Sequence, residues 1–429
     1  MLSKFVRPKP NETLIRFLAP VNNILCLKGI PALRDVPILN RIPGVRGICS
    51  VRHIDFPQAD QNRLAAVCGK GKIAFITPNH PEFFTDWMLD KYITSLSCPM
   101  AANWATHGVV NGLGRAMQKF WLANNLIAQI PGNREPSRQY SLEWALKGHG
   151  VLLHPEGAVG WHANYIAPLF PGAIEMARQA LAQQPSHQAY VAPVVWKLVF
   201  TGDVTARLHR ECGYVENKLG IDRETRGDIA ARVFHLYQVL LRRDEVKWQT
   251  PVNEILSFRK RQLALIKKLN AKLSETLNNA DNADDAYVAQ DGESLLRGAR
   301  RWLRENRNRP QRALVRDLVE TIARHESLGD YAFVNKTISQ EELAEHIKRL
   351  RRDYCKGTLT DTLNAFIPQA AGLRTAHIRV PEPFALHSER DANLAPDQLQ
   401  ARMQAGLDDL NDQIEARDGF ISFGNPFHN

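Results

Sequence analysis

The chain has 429 residues, enough for two or three ordinary domains or for one domain with a large insertion. Hydrophobic residues make up 44% and charged residues 23%, which excludes wholesale disorder, a collagen-like fibre and a multi-pass membrane protein. The 55 Lys and Arg outnumber the 45 Asp and Glu, and the net charge of +10 favours anionic partners: nucleic acid, acidic lipid or phosphorylated metabolites.

The N-terminal stretch has no sustained apolar core of the kind a signal peptide carries, and Pro8 and Pro10 interrupt it early. No apolar run reaches the roughly 18 residues of a spanning helix. The expected location is cytoplasmic, in solution or at a membrane surface. The six cysteines lack CxxC spacing and read as free thiols in a reducing compartment, not as a zinc ribbon or a thioredoxin motif.

In chain order, residues 1–60 read as an irregular lead-in with one helix near 12–27. Residues 72–77 form a short β-rich run that ends at Pro78-Asn79-His80-Pro81, and 84–93 carry apolar residues at helical spacing. Residues 108–126 read as a helix, 127–130 as a strand, 137–147 as a helix and 150–154 as a strand. A helix over 172–184 and a strand over 190–200 follow. This alternation predicts an α/β fold with a mostly parallel central sheet flanked by helices. From 205 to 372 the pattern is helical, with helices over 229–241, 252–277, 295–304, 312–325 and 340–354 and a polar loop over 278–285. A strand returns at 376–380, and an amphipathic helix follows over 395–416.

Four segments carry chemistry. In Asn79-His80-Pro81-Glu82-Phe83-Phe84-Thr85-Asp86, a turn histidine precedes a carboxylate by about one helical turn, the pattern of a general base and its orienting acid. In Ile130-Pro131-Gly132-Asn133-Arg134, a glycine and a guanidinium follow a strand, suited to an anionic group. In Leu153-His154-Pro155-Glu156-Gly157, a buried strand delivers a carboxylate to a sheet edge. The fourth, Val191-Ala192-Pro193-Val194-Val195, is an apolar strand.

In this order the segments resemble the glycerolipid acyltransferase family, typified by bacterial lysophosphatidate acyltransferases. That family shows NHxxxxD, then Gly and Arg after a strand, then FPEG, then a V-P-V strand. The resemblance covers about 60–202 and 373–416. It implies a discontinuous acyltransferase-like α/β domain over 61–204 and 373–429, interrupted by a large all-α insertion over 205–372. It also implies transfer of a fatty acyl group from an acyl-CoA or acyl-carrier-protein thioester to a hydroxyl of a lipid or lipid precursor, as in phospholipid biosynthesis, with no acyl-enzyme. His80 would be the base and Asp86 its orienting acid, with Glu82 a second candidate carboxylate. Asn79, Gly132, Arg134, Glu156, Gly157 and Trp161 would bind the acceptor. No metal and no cofactor beyond the thioester co-substrate are expected.

The chain departs from the family pattern in three places. Five residues, not four, separate His80 from Asp86. Ala158-Val159-Gly160-Trp161 follows Pro-Glu-Gly where the family has Thr, Arg and Ser. Phe170-Pro171-Gly172 lacks the lysine of the family's F-K-x-G. Trp161, His162 and Tyr165 would make a more aromatic acceptor wall.

Residues 251–312 hold 13 Lys and Arg against 8 Asp and Glu, including Arg300, Arg301 and Arg304. Basic amphipathic helices suit an anionic membrane surface. The surplus is spread out and no nucleic-acid module is visible, which disfavours RNA or DNA. The competing class is a catalytically silent acyltransferase-like fold that binds membrane or nucleic acid.

Overall fold

The computed structural model describes residues 5–112, 114–130, 132–162, 164–223, 227–280, 292–364 and 371–428. It is an α/β fold with a mostly parallel central sheet flanked by helices on both faces, and a long helical segment separates two of its strands. The described strands are β1 (Val51–Asp55), β2 (Lys72–Pro78), β3 (Ala102–Thr106), β4 (Leu126–Gln129), β5 (Val151–Leu152), β6 (Gln188–Phe200), β7 (Thr337–Ser339), β8 (Arg374–Arg379), β9 (Phe384–Ala385) and β10 (Ser422–Gly424). The main sheet runs β1-β8-β6-β2-β5-β3-β4, with β9 also on β6. Only β8 and β9 run antiparallel to β6; the other pairs in this sheet are parallel.

The chain forms two compact units. The first holds Met1–Arg207, Ala344–Arg352 and Gly357–Ile421, and the second holds Leu208–Leu343, Asp353–Lys356 and Ser422–Asn429.

The core of the first unit follows from strand alternation. Successive side chains of a strand point to opposite faces. Ile73 and Phe75 of β2 and Val191 and Val195 of β6 enter one apolar layer, and Ala74, Ile76, Ala192, Val194 and Trp196 enter the other. Helices Glu135–Leu146, Gly172–Gln183 and Pro396–Glu415 cover the first face through Tyr140, Ile174, Leu399 and Leu407. Helices Gln58–Ala66 and Phe83–Ser97 cover the second through Leu64, Leu89 and Ile93. Burial on both faces explains why β2 and β6 read as near-continuous apolar runs.

The connections create a crevice. The chain leaves β2 through Phe83–Ser97 toward β3 on one side, and leaves β5 through Gly172–Gln183 toward β6 on the other. Neighbouring strands β2 and β5 therefore send their helices to opposite faces. In open α/β sheets such a switch point, at the carboxyl ends of the strands, is where ligands bind.

Among the elements that differ from the sequence reading, three lie in or beside the main sheet. Val51–Asp55 lies within the stretch read as irregular; its parallel partner β8 is more than 300 residues away, so no local pattern marks the pairing. Ala102–Thr106 is poor in β-formers and becomes a strand by pairing with both β4 and β5. The single helix expected over 108–126 is two, His107–Asn111 and Gly114–Ala123, separated near Gly114, whose φ of 85° favours glycine.

In the second unit, helix Phe258–Ala280 buries Leu265, Leu269, Leu273 and Leu277, one per turn. Buried ion pairs join Arg232 to Glu216 and Arg261 to Glu245, and His325 Nε2 lies 3.0 Å from Asp244. The unit also contains the antiparallel pair β7 and β10. Most of the loop expected over 278–285 lies outside the described residues. Among the described residues, no helix is long and apolar enough to cross a membrane.

Phe75 is fully buried at the centre of the sheet. Phe75→Ala should remove about 3–5 kcal/mol of stability, read as a lower midpoint in chemical denaturation; an unchanged midpoint would contradict the packing described.

Candidate active site

The site begins where β2 ends. Asn79 is buried and extends the strand by one rung with its side chain. Its Nδ2 donates to the Trp196 carbonyl at 3.0 Å, and its Oδ1 accepts from the Trp196 N–H at 2.9 Å. Its backbone N–H donates to Val194 at 3.1 Å. Both ends of the amide are thus engaged, and its visible role is to hold the turn that carries His80.

The His80 backbone N–H donates to Glu156 Oε1 at 2.7 Å, and Glu156 Oε2 accepts from the Ala167 N–H at 3.0 Å. One carboxylate after β5 therefore ties together the turn after β2 and the loop that follows Pro-Glu-Gly. Burial pushes Glu156 up to about 7, with the two backbone N–H groups opposing.

Helix Phe83–Ser97 starts after an extended residue, Glu82, with φ −140° and ψ 138°. This extended residue absorbs the extra position between His80 and Asp86. Asp86 falls in the first turn and reaches back. Its Oδ1 accepts from the Glu82 N–H at 3.0 Å, and its Oδ2 hydrogen-bonds His80 Nδ1. Asp86 is the partner of the histidine ring. Glu82 turns away, its carboxylate paired with Arg374 Nη1 at the start of β8, and Arg374 Nη2 donates to the Cys49 carbonyl at 2.6 Å.

With Asp86 ionised, the pairing sets the histidine tautomer. With Nδ1–H donated to Asp86, Nε2 of His80 carries the lone pair, and it has no hydrogen-bond partner among the described residues. The His80 side chain is 18% exposed while Asp86 is 1% exposed, so the ring alone meets solvent. Burial, and then the neighbouring His154, hold His80 well below its ordinary value, so the ring is neutral at pH 7. Burial, and then Asp90, push Asp86 well above the ordinary carboxylate range.

Two residues of this cluster were missed by the sequence reading. His154 stacks on His80, with ring centroids 4.0 Å apart and 16° between planes. Its Nε2 lies 3.0 Å from Asp90 Oδ2, one helical turn after Asp86. The Asp86 and Asp90 spacing of four is visible in sequence; the convergence of His154 on it is not.

His80, Asp86 and His154 also bring potential metal-ligand atoms within 4.8 Å of one another. Four of the candidate ligand atoms are already committed. His80 Nδ1 and Asp86 Oδ2 bond each other, and both nitrogens of His154 face acceptor oxygens. The wiring fits proton handling better than a metal.

Gly157 closes the turn with its N–H to the His154 carbonyl at 3.2 Å. Its φ is 72°, and a Cβ there would lie 2.6 Å from the Phe170 ring. Trp161 is buried in a left-handed conformation at φ 57°, which a bulky side chain adopts only where its surroundings hold it. The Gly160 N–H donates to the His80 carbonyl at 3.2 Å, so this loop abuts His80.

Lys348 Nζ lies 5.0 Å from the Trp161 ring centre, and Arg349 Nη1 donates to His162 Nδ1 at 3.0 Å. Helix Gln340–Tyr354 thus brings cations to a loop that lacks them in its own sequence. His162 and Tyr165 meet edge to face, with ring centres 5.6 Å apart.

Gly132 and Arg134 lie after β4, on the same sheet edge but beyond β5 and β3, and both are exposed. Among the described residues, no hydrogen bond or ion pair joins Arg134 to His80 or Glu156. A cavity of about 500 Å³ runs along another face of helix Phe83–Ser97, lined by Ile15, Leu18, Phe84, Trp87, Met88 and Trp121.

No protein-family model matches the chain, and no curated protein matches it.

Asn79→Ala should leave the Trp196 N–H and carbonyl buried without partners, at a cost of about 2–4 kcal/mol. Chemical denaturation measures this, and a loss below about 0.5 kcal/mol would contradict the ladder role.

Proposed function

We propose that the chain is an acyltransferase, moving a fatty acyl group from an acyl-CoA or acyl-carrier-protein thioester to a hydroxyl of a lipid or lipid precursor. The observation that carries this reading is the His80–Asp86 pair at the carboxyl end of β2, with Nε2 left without a hydrogen-bond partner among the described residues. The resemblance of the motif order to glycerolipid acyltransferases supplies the choice of reaction.

In this mechanism His80 Nε2 accepts the proton of the acceptor hydroxyl. The oxygen attacks the thioester carbonyl carbon; the C–O bond forms and the C–S bond breaks. The leaving thiolate takes the proton back from His80, so base and acid are one residue. Asp86 holds the tautomer and stabilises the imidazolium during transfer. The apolar cavity beside Phe84 and Trp87 has the chemistry to take the acyl chain. Arg134, exposed at the same sheet edge, is a cation for phosphate groups of donor or acceptor, and Trp161 walls the loop after Pro-Glu-Gly.

His80→Ala should reduce turnover at least about 100-fold, and Asp86→Asn by a similar factor. The readout is free thiol released from acyl-CoA in the presence of lysophospholipid or other hydroxyl acceptors. Wild-type turnover by His80→Ala would overturn the mechanism.

Protonation of His80 removes the base, and its protonation is disfavoured by burial and by His154. The acid limb of kcat/KM should therefore lie below pH 6.5, the ordinary imidazole value. A limb above that value would contradict the environment described.

The reading includes contact with an anionic membrane surface. Helix Gly292–Glu305 exposes Arg300, Arg301 and Arg304 but buries Leu295, Leu296 and Trp302, so it offers charge without apolar area. Residues 16–46 leave Phe17 65% exposed, Ile38 74% and Ile42 51%, in a stretch that also carries Arg16, Arg41 and Arg46. An apolar and basic surface of this kind suits anionic lipid. Co-sedimentation with phosphatidylglycerol vesicles should fall more for Phe17→Glu with Ile38→Glu than for reversal of Arg300, Arg301 and Arg304. The opposite order would return the contact to the helical segment.

A further inference from the structure

The proposed mechanism uses one histidine, yet the structure stacks a second upon it. His154 occupies the position that precedes Pro-Glu-Gly, where the resembling motif has Phe. Its ring is nearly as enclosed as the core, at 11% exposure. A ring placed there only to fill space would need no polar partners, and this one has three. Nδ1 lies 3.0 Å from the Asn79 carbonyl and 3.2 Å from the Pro78 carbonyl. Nε2 lies 3.0 Å from Asp90 Oδ2.

Carbonyl oxygens only accept, so Nδ1 must carry a proton. The Nε2 contact holds one more proton between the ring and Asp90. Two carbonyls at the far end of the ring and a carboxylate at the near end all favour the charged ring. The titratable groups facing the two histidines come from three elements. Asp86 and Asp90 project from helix Phe83–Ser97. Glu156 comes from the loop after β5, and Glu82 is already neutralised by Arg374. Burial opposes charge on His154. The charge and hydrogen bond of Asp90, the charge of Glu156 and the Asn79 carbonyl outweigh it and raise His154 above its ordinary value.

We propose that His154 is a positioning residue for His80: held as an imidazolium by Asp90 and the carbonyls of Pro78 and Asn79, it lies face to face on His80 and keeps that ring neutral and ready to accept a proton. The proposal rests on the reading of His80 as a base. The physical effect is direct. A fixed positive charge 4.0 Å away, in a largely buried site, disfavours a second positive charge on the stacked ring. The same cation faces the Asp86 and Asp90 carboxylates and makes their shared burial tolerable.

The test is histidine ¹⁵N and ¹H NMR on the full chain across pH, alongside the kcat/KM profile. In the wild-type protein His154 should show both ring N–H protons at pH 7, while His80 shows only Nδ1–H. His154→Phe keeps a stacked ring but removes the charge, and it should move the His80 midpoint and the acid limb of kcat/KM upward by about one pH unit or more. Asp90→Asn should shift both the same way, and the double variant should match the single ones instead of adding. A neutral His154 at pH 7, or a His80 midpoint unmoved in both variants, overturns the proposal. The wild-type spectra decide the charge state even where a variant fails to fold. An NMR result as expected, in a protein whose turnover survives His80→Ala, would sink the acyltransferase mechanism while leaving the stacked pair standing.

Discussion

The geometry at the end of β2 depends on the side chain of Asn79. The backbone ladder to β6 pairs Pro78 with Val194, and the chain must then turn sharply to place a side chain above the sheet edge. Asn79 substitutes its amide for the next rung, bonding both the N–H and the carbonyl of Trp196. The turn is thereby fixed to the longest strand of the sheet. His80 follows with its own N–H caught by Glu156, from the far side of the same crevice. Two neighbouring strands thus hold one histidine backbone, so the direction of its ring is set by hydrogen bonds instead of loop packing. A base must meet a substrate proton within hydrogen-bond reach, and this rigidity is what such a task requires.

The additional residue between His80 and Asp86 shows how tolerant the arrangement is of spacing and how intolerant of direction. Glu82 stays extended, and the helix begins one residue later. Asp86 then bridges two donors at once, the Glu82 N–H and His80 Nδ1. A carboxylate in the first turn of a helix also sits near the positive end of the helix dipole. Burial still dominates and raises Asp86. The Glu82 side chain is two residues from His80 in sequence but pairs with Arg374 instead of the His80 ring.

Much of this was legible in the sequence, for a physical reason. Lys72–Pro78 and Gln188–Phe200 are apolar on both faces, and Gly172–Gln183 and Pro396–Glu415 repeat every three to four residues, so local patterning marks them. The placement of His80 and Glu156 on turns at strand ends, and of Asp86 at the start of the following helix, followed from the same patterns. What patterning cannot carry is partnership across distance. Arg374 meets Glu82 across 292 residues, and Arg349 meets His162 across 187. The strands β1 and β3 are defined by their neighbours, not by their own composition. Asp90 looks like any polar helix residue until the loop after β5 sets His154 against it, 64 residues away.

The two histidines and two aspartates form one electrostatic unit. Asp86 and Asp90 sit one helical turn apart on the same buried face, where two unpaired carboxylates would repel each other and bear the full cost of desolvation. Each therefore needs a donor of its own. His80 gives Asp86 its Nδ1 proton and keeps Nε2 bare, so it enters as a neutral donor with a free lone pair. His154 commits both nitrogens to acceptors and has no lone pair left, so it enters as the cation that balances the cluster. Identical side chains stacked 4.0 Å apart thus take different charge states in the proposed pair because of what their nitrogens face. That difference, more than the presence of a histidine and an acid in sequence, makes His80 the ring able to accept a proton.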